Sequence, residues 1–142
     1  MITEETLAAA DAWLAAEPDA DLREELSALI DGARSGDDSA GGDLAARFAG
    51  RLQFGTAGLR AAVGAGPMRM NRIVVRHAAA GLGRWILAAG PEAAARGVVI
   101  ANDARRKSDV FARDTALVLA AMGIRSYLHP GLTPTPVLAW SI

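Results

Sequence analysis

The first third of the chain carries apolar side chains at the spacing of amphipathic helices. The two stripes consist of Leu7, Ala10, Trp13 and Leu14 and, further on, of Leu22, Leu26, Leu29 and Ile30. The first stripe predicts a helix over residues 3–17, with Thr3 placed to cap its free amides, and the second predicts a helix over residues 21–33. Pro18 separates the two. The pattern therefore predicts an N-terminal helical hairpin.

Residues 35–43, SGDDSAGGD, interrupt this pattern and are a loop by composition. The three carboxylates of Asp37, Asp38 and Asp43 suggest a metal site as an alternative. A calcium loop needs alternating oxygen ligands and a closing glutamate at fixed spacing, and the segment has neither. The sequence therefore favours a solvated linker, followed by a short helical turn over residues 43–49.

From residue 51 onward the helical stripes give way to shorter elements. Residues 51–63, RLQFGTAGLRAAV, predict two short strand-like pieces around a glycine turn, and residues 73–89 predict a long helix. Residues 97–101, GVVIA, form a continuous apolar run, which is typical of a strand buried on both faces. This part of the chain therefore has the pattern of an α/β domain.

The clearest topological signal lies near the C-terminus. Residues 108–122 predict a helix capped by Ser108, and residues 124–128 predict the strand after it. A strand, a helix and a strand joined by short links form a βαβ unit, so the two strands should be parallel, with a right-handed crossover. Residues 130–142 carry TPTP at positions 133–136, which predicts a stiff extended segment leading into a helix.

Composition excludes several classes of function. The chain has 142 residues, enough for one domain, and its 15 basic and 16 acidic residues give a formal net charge of −1. A nucleic-acid-binding protein would show a basic excess. Without cysteine, the chain cannot form disulfides, thiolate zinc sites or a cysteine nucleophile. There is no signal-peptide pattern and no apolar run near the roughly 20 residues of a membrane span, so we predict a cytoplasmic protein without membrane or nucleic-acid partners.

The motif FGTAGLR, residues 54–60, is the most informative piece of chemistry in the sequence. Gly55 and Gly58 allow backbone conformations that other residues avoid, and they let the chain approach a ligand closely. Thr56 offers a hydroxyl, and the planar charged fork of Arg60 suits phosphate oxygens. From these residues alone, the motif is either an anion-binding turn or a purely structural turn.

Together with three further landmarks, this motif resembles the α-D-phosphohexomutase family of phosphoglucomutases and phosphomannomutases. The landmarks are GPMRMN at residues 66–71, VVIANDAR at residues 98–105 with Ser108 opening the next helix, and TPTP at residues 133–136. The helical preamble and the motif wording look closest to the phosphoglucomutase-2-like branch, which includes phosphopentomutases. The resemblance implies an incomplete phosphohexomutase domain I over residues 51–142, an α/β domain with a mixed sheet flanked by helices. A helical extension over residues 1–50 precedes it.

The resemblance also implies a reaction of the isomerase class. In this family a phosphoserine gives its phosphoryl group to a sugar phosphate, the resulting bisphosphate turns over in the cleft, and the other phosphate returns to the serine. Mg²⁺, held by a separate aspartate-rich loop, neutralises charge on the moving group. By resemblance, Arg60 supports catalysis near the phosphoserine. Thr56 and Gly58 belong to the turn that places Arg60, and all three are candidate substrate-binding residues.

Two parts of the family pattern do not occur in these 142 residues. The family serine lies in a Ser-His-Asn-Pro loop, which is absent here, and the Asp-Gly-Asp-Gly-Asp metal loop is absent as well. The serines present, none of them in that context, are Ser27, Ser35, Ser39, Ser108, Ser126 and Ser141. We therefore expect the chain to be the N-terminal part of a phospho-sugar mutase, inactive alone. The magnesium ligands and the determinants of the sugar would lie in the remaining domains of the parent protein.

For other residues the sequence favours structural interpretations. GAGPMR, residues 64–69, begins like a dinucleotide-binding fingerprint but has arginine in place of the third glycine. Asp103 and Arg105 favour a role at the strand end. His77 and His129 favour packing or surface positions. The tryptophans expected in core or interdomain packing are Trp13, Trp85 and Trp140. The runner-up function is a non-catalytic α/β phosphate-binding or interaction module, and a Rossmann-type nucleotide binder comes third.

Overall fold

The computed structural model describes residues 2–140, and Met1, Ser141 and Ile142 lie outside the described residues. In chain order the elements are α1 (Glu4–Ala16), α2 (Ala20–Arg34), α3 (Asp38–Phe48), α4 (Arg72–Ala88), α5 (Pro91–Arg96), β1 (Val98–Asn102), α6 (Ser108–Ala121), β2 (Ser126–Leu132) and α7 (Thr135–Ala139). The chain forms two compact units, residues 1–74 and residues 75–142.

Helices α1, α2 and α3 build the core of the first unit. Thr3 caps α1 by accepting a hydrogen bond from the Thr6 amide (3.2 Å), as the sequence predicts. The buried residues that pack together are Leu7, Ala10, Leu22, Leu26, Ile30, Leu44 and Ala65. Trp13 lies beside this core and contacts Phe48 edge to face, with ring centroids 6.1 Å apart. The predicted helical hairpin is confirmed as α1 and α2, and α3 completes a three-helix unit.

The third helix corrects the prediction of a loop over residues 35–43, because α3 already begins at Asp38. Asp37 is its cap: one carboxylate oxygen accepts hydrogen bonds from the amides two and three residues further on, at 2.8 and 3.2 Å. Gly41 and Gly42 lie within α3, and each disfavours a helix by about 1 kcal/mol, which is why the composition indicated a loop. Complete burial of Leu44 in the core outweighs that preference.

Residues 51–63 form no strand, contrary to the two strand-like pieces that the sequence predicts. The β-bridges of this segment are isolated ones, between Gly55 and Gly58 and between Val63 and Met70. A two-stranded hairpin is marginal in water unless a further strand or an apolar face covers it. Most of the side chains here are exposed. The segment is therefore a surface loop whose shape depends on a few hydrogen bonds.

The second unit contains the predicted βαβ arrangement. β1 and β2 are parallel neighbours, with Val98 opposite Ser126, and α6 connects them. The core residues of this unit are Ile86, Ile100, Ala112, Leu119 and Ile124. The α/β class and the parallel pairing are confirmed, and the sheet of the described residues consists of these two strands. The right-handed crossover stays a prediction.

A short helix and a glycine lead into the sheet. The predicted helix over residues 73–89 is confirmed as α4, whereas α5 was not predicted and starts with Pro91, whose missing amide is no loss at a first helical position. Gly97 follows with a φ of 81°. A side chain there would collide with the Arg125 carbonyl, which accepts the Val98 amide at 2.8 Å. Glycine is therefore required where the two strands first meet.

Candidate functional site

The motif FGTAGLR forms a compact exposed turn. Gly55 and Gly58 exchange two backbone hydrogen bonds, from the Gly55 amide to the Gly58 carbonyl (3.1 Å) and back (3.0 Å). The φ of Gly58 is 90°, a conformation that residues with a side chain adopt only at a cost in energy. The two glycines thus have different roles, since Gly58 makes the turn possible and Gly55 closes it.

The turn presents a hydroxyl and a cation to solvent. Thr56 and Arg60 are both exposed, and Arg60 donates its Nε–H to the Ala57 carbonyl at 3.2 Å. That bond holds the guanidinium against the turn and leaves its terminal nitrogens available. Within residues 2–140, no carboxylate forms an ion pair with Arg60. The arrangement suits an anion such as a phosphoryl group, because the charge is not already neutralised.

Backbone hydrogen bonds to residues 64–70 fix both ends of the segment that carries the turn. The Leu52 amide donates to the Pro67 carbonyl (3.0 Å), and the Met70 amide donates to the Ala62 carbonyl (2.9 Å). The Gly64 amide donates in turn to the Met70 carbonyl at 3.2 Å. The position of the turn therefore depends on the loop of residues 64–70, which binds both ends of the segment that carries the turn.

Arg47 lies buried beneath that loop. Its guanidinium donates to Glu25 (Nη2 to Oε1, 2.7 Å), to Asp43 (Nε to Oδ2, 3.1 Å) and to the Ala65 carbonyl (Nη1, 3.2 Å). Arg69 contacts the other oxygen of Asp43 at 3.1 Å. We call Glu25, Asp43, Arg47 and Arg69 the Arg47 network.

The charges in this network support one another. The hydrogen bond from Arg47 lowers the pKa of Asp43, burial opposes that shift, and the positive charges of Arg47 and Arg69 reinforce it. Burial alone would lower the pKa of Arg47, but its hydrogen bonds to Glu25 and Asp43 raise it above the usual value. The pairing of Asp43 and Arg47 at i and i+4 was visible in the sequence. The contact with Glu25, on another helix, was not.

Asn71 is the second buried polar residue that sequence reasoning missed. Its side chain is fully buried, and Nδ2 donates to the carbonyls of Gly64 (2.9 Å) and Gly66 (2.8 Å). Its Oδ1 accepts the Val74 amide at 2.9 Å in the first turn of α4. One amide side chain thus closes the loop and caps the helix. The sequence offered one signal, an asparagine directly before a long helix.

In the second unit, Asp103 and Arg105 form a turn at the end of β1. Arg105 donates its backbone amide to Asp103 Oδ1 (3.1 Å) and its Nε to Oδ2 (2.7 Å). The Asp103 amide donates to Ser108 Oγ at 3.2 Å. The Arg105 backbone hydrogen bond is the main cause of a lowered pKa at Asp103, followed by its side chain and Ser108. These local contacts agree with the predicted role at the strand end.

The TPTP segment follows β2 directly. Thr133 is buried, its amide donates to the Asn102 carbonyl at 2.9 Å, and its hydroxyl lies 2.6 Å from His129 Nδ1. A depression of about 380 Å³ at this end of the strands is lined by His129 together with Asp109 and Arg113. His129 therefore contributes to the local structure, as the sequence favours. The predicted terminal helix begins at Thr135 as α7.

Three further expectations concern tryptophans, histidine and metal ions. Trp85 and Trp140 are 70% and 92% exposed, so neither is a core residue of its unit. His77 lies at the surface of α4, as predicted. No group of three or more metal-ligating histidine, cysteine, aspartate or glutamate side chains occurs within residues 2–140. No helix of the described chain is long and apolar enough to cross a membrane.

Comparison with known proteins places this turn in a family. The model for the phosphoglucomutase/phosphomannomutase alpha/beta/alpha domain I matches residues 51–142, a span that begins just before the turn. The chain belongs to the phosphoglucomutase/phosphomannomutase family. The family resemblance carried by the four sequence landmarks is thereby confirmed.

Relatives in this family include several named sugar-phosphate mutases. A probable phosphoribomutase of Schizosaccharomyces pombe is 39% identical over 93% of this chain and 22% of its own length. A probable phosphomannomutase of Haemophilus influenzae is 47% identical over 53% of this chain and 15% of its own length. A phosphopentomutase of Mus musculus is 38% identical over 67% of this chain and 16% of its own length. The chain thus spans about a fifth or less of the curated relatives that it matches. No solved structure matches it.

Proposed function

We propose that the protein carrying this chain is a phospho-sugar mutase, and that residues 54–60 face the phosphoryl group in its domain I. The observation that carries the proposal is the exposed, unneutralised Arg60 on a glycine turn within the segment that matches the family domain. Names such as phosphoribomutase, phosphomannomutase and phosphopentomutase among its relatives point to hexose or pentose phosphates as the substrate class.

The proposed chemistry is phosphoryl transfer through a serine. The serine oxygen gives its phosphoryl group to a sugar hydroxyl, and the bisphosphate so formed reorients and returns its other phosphoryl group to the serine. Arg60 would stabilise the negative charge on the equatorial oxygens of the moving group. Thr56 would add a hydroxyl donor, and Gly58 would let the backbone approach closely. The turn would therefore bind and orient the phosphoryl group, while the nucleophile lies elsewhere.

Magnesium, the sugar bisphosphate and a cytoplasmic location belong to the same proposal. Mg²⁺, when bound, would neutralise charge on the transferred phosphoryl group. By the family resemblance its ligands would lie in the remaining domains of the parent protein, so we assign this chain no role in holding the metal. The bisphosphate would serve as the activator or intermediate that keeps the serine phosphorylated.

A panel assay of the full-length protein tests the proposal. In a coupled assay we expect magnesium-dependent interconversion of the 1-phosphate and 6-phosphate of glucose, of the 1-phosphate and 6-phosphate of mannose, or of the 1-phosphate and 5-phosphate of ribose. Addition of the matching bisphosphate should raise the initial rate. Sugar-phosphate binding measured by calorimetry, without turnover of any member of the panel, would instead support a non-catalytic phosphate-binding module. Absence of both binding and turnover would refute both functions.

A further inference from the structure

We propose that Arg47 of α3 is a positioning residue for the FGTAGLR turn, acting through the loop of residues 64–70 without touching substrate. Its kinetic consequence rests on the proposed function, whereas its structural consequence does not. Three links connect Arg47 to the turn: Arg47 contacts the loop, the loop binds the two ends of the segment, and those ends hold the turn.

The first link is a clamp on the two backbone polar groups of one loop residue, Ala65. The Ala65 carbonyl accepts from Arg47 Nη1 at 3.2 Å, and the Ala65 amide donates to Glu25 Oε2 at 3.3 Å. Glu25 Oε1 in turn accepts from Arg47 Nη2 at 2.7 Å. Arg47 and Glu25 therefore satisfy both backbone groups of a fully buried residue and also hold each other. Buried backbone groups need hydrogen-bond partners, so these contacts fix the position of the loop relative to α3.

Close packing reinforces the clamp. Gly66 has a φ of 105°, and a side chain added there would lie 3.0 Å from the Arg47 Cβ. The Met68 amide donates to the Arg47 carbonyl at 3.1 Å. The loop therefore lies directly on the backbone and side chain of Arg47, and only glycine permits this approach at position 66. Methionine at position 47 would keep the Cβ and the backbone carbonyl that make these contacts, so Arg47→Met removes the hydrogen bonds of the guanidinium and leaves this packing in place.

The second and third links connect the loop to the turn. The hydrogen bonds at Leu52 and Ala62 attach the segment to Pro67 and Met70 on its two sides. Between those points, every hydrogen bond described for residues 53–61 is internal to residues 51–61. The turn therefore has no hydrogen bond of its own to the helical unit. Its position relative to α2 and α3 depends on the two attachments, and the attachments depend on the clamp.

Hydrogen–deuterium exchange of the full-length protein tests the structural consequence. In Arg47→Met, the Leu52 and Met70 amides should exchange faster by about tenfold or more, the factor expected when a buried group loses its partner. Glu25→Gln, which keeps the fold but can satisfy only one of its two partners, should show a smaller increase at the same amides. Leu22→Ala is the matched control, because it removes core volume from the same unit without removing a hydrogen-bond partner of the loop.

The result that would overturn the inference is equal exchange at Leu52 and Met70 in Arg47→Met and in the wild type, or an increase no larger than in Leu22→Ala. Trypsin provides a second readout, since Arg60 lies exposed in the turn. Cleavage after Arg60 should be faster in Arg47→Met and in Glu25→Gln than in the Leu22→Ala control. Both readouts are independent of any mutase activity, so they decide the inference even if the proposed function is wrong.

A double-mutant cycle tests the kinetic consequence. Arg47→Met should lower kcat/KM of the folded enzyme, and it should do so mainly through kcat because the residue does not contact substrate. If Arg47 acts by placing Arg60, adding Arg47→Met to Arg60→Ala should change kcat/KM by less than about twofold. Fully additive losses would contradict the positioning role. An Arg60→Ala enzyme with normal activity would instead refute the proposed site, while the exchange result would still stand.

Discussion

Replacement of Asn71 by alanine should destabilise the first unit more than any change at its surface. The side chain is fully buried and makes three strong contacts, with the Gly64 and Gly66 carbonyls and with the Val74 amide, all between 2.8 and 2.9 Å. Alanine leaves the buried Gly64 carbonyl without a donor, at about 1–3 kcal/mol before any hydration, whereas the Gly66 carbonyl keeps the Arg69 amide at 3.2 Å. It also removes a helix cap worth about 1 kcal/mol. We expect a loss of about 2–4 kcal/mol in the free energy of unfolding.

Urea unfolding of the 142-residue chain in dilute solution provides the measurement. Trp13 is a local reporter because it packs on Phe48 and donates its indole N–H to Glu17 at 3.1 Å. With Trp85 and Trp140 changed to phenylalanine, the fluorescence follows the first unit alone. Gln53→Ala is the matched control, since that exposed amide makes only a local bond to the Arg51 carbonyl. A loss below about 1 kcal/mol for Asn71→Ala would refute the reasoning on buried polar groups.

Three further predictions concern activity, acid stability and association. The 142-residue chain alone should not interconvert glucose 1-phosphate and glucose 6-phosphate above a mock preparation, because the family's Ser-His-Asn-Pro nucleophile loop does not occur in it. The Arg47 hydrogen bond lowers the pKa of Asp43 in the folded state. The ionised Asp43 should therefore stabilise the fold above a pH of about 4, and this stabilisation should be lost as the pH falls through the pKa that Asp43 has in the folded state. Asp43→Asn should therefore lower the melting temperature at pH 7 and reduce its decline between pH 5 and pH of about 3. Large apolar side chains exposed on the second unit, among them Trp85, Leu117, Leu132 and Trp140, should make the isolated chain associate. A clean monomer in light scattering with a sharp unfolding transition at high temperature would contradict that expectation.

The sequence predicted the elements whose signals are local and periodic. The stripes of α1 and α2, the apolar run of β1 and the helix that begins at Ser108 each reflect contacts within a few residues or burial on a regular face. The predicted cap at Ser108 is wrong, because Lys107 occupies the cap position of α6 and the Ser108 hydroxyl accepts the Asp103 amide instead. The parallel pairing of β1 and β2 followed from the order of elements alone. The predictions of these elements and of their pairing are confirmed because local pattern and tertiary packing favour the same structure.

The predictions failed where tertiary contacts oppose the local signal. The glycine- and aspartate-rich segment before Leu44 looked like a linker, but burial of that leucine and the cap at Asp37 make it helical. The pieces on either side of the glycine turn in residues 51–63 looked like strands, but these exposed pieces have no neighbouring strand along most of their length. The role of Arg47 depends on Glu25, which is 22 residues away in the sequence. The role of Asn71 depends on two carbonyls of one loop. No spacing rule encodes such contacts.

The candidate site likewise has one part that the sequence predicted and one part that it did not. Sequence chemistry selected Thr56, Gly58 and Arg60, and the structure shows an exposed turn with a positive φ at Gly58 and Arg60 held by the Ala57 carbonyl. Their function in binding or catalysis stays a prediction. What the sequence did not provide is the support of the turn, the clamp on Ala65 beneath it.

The most direct test of the proposed site compares two exposed arginines of one segment in the full-length protein. Arg60→Ala should lower kcat/KM by about 100-fold or more with an unchanged melting temperature, because charge stabilisation during transfer is worth several kcal/mol. Arg60→Lys should recover only part of that loss, since a point charge cannot reproduce the fork. The control Arg51→Ala should retain activity. Near-normal kcat/KM in Arg60→Ala, or an equal loss in both alanine variants, would contradict the assignment of the FGTAGLR turn as the phosphoryl-binding site.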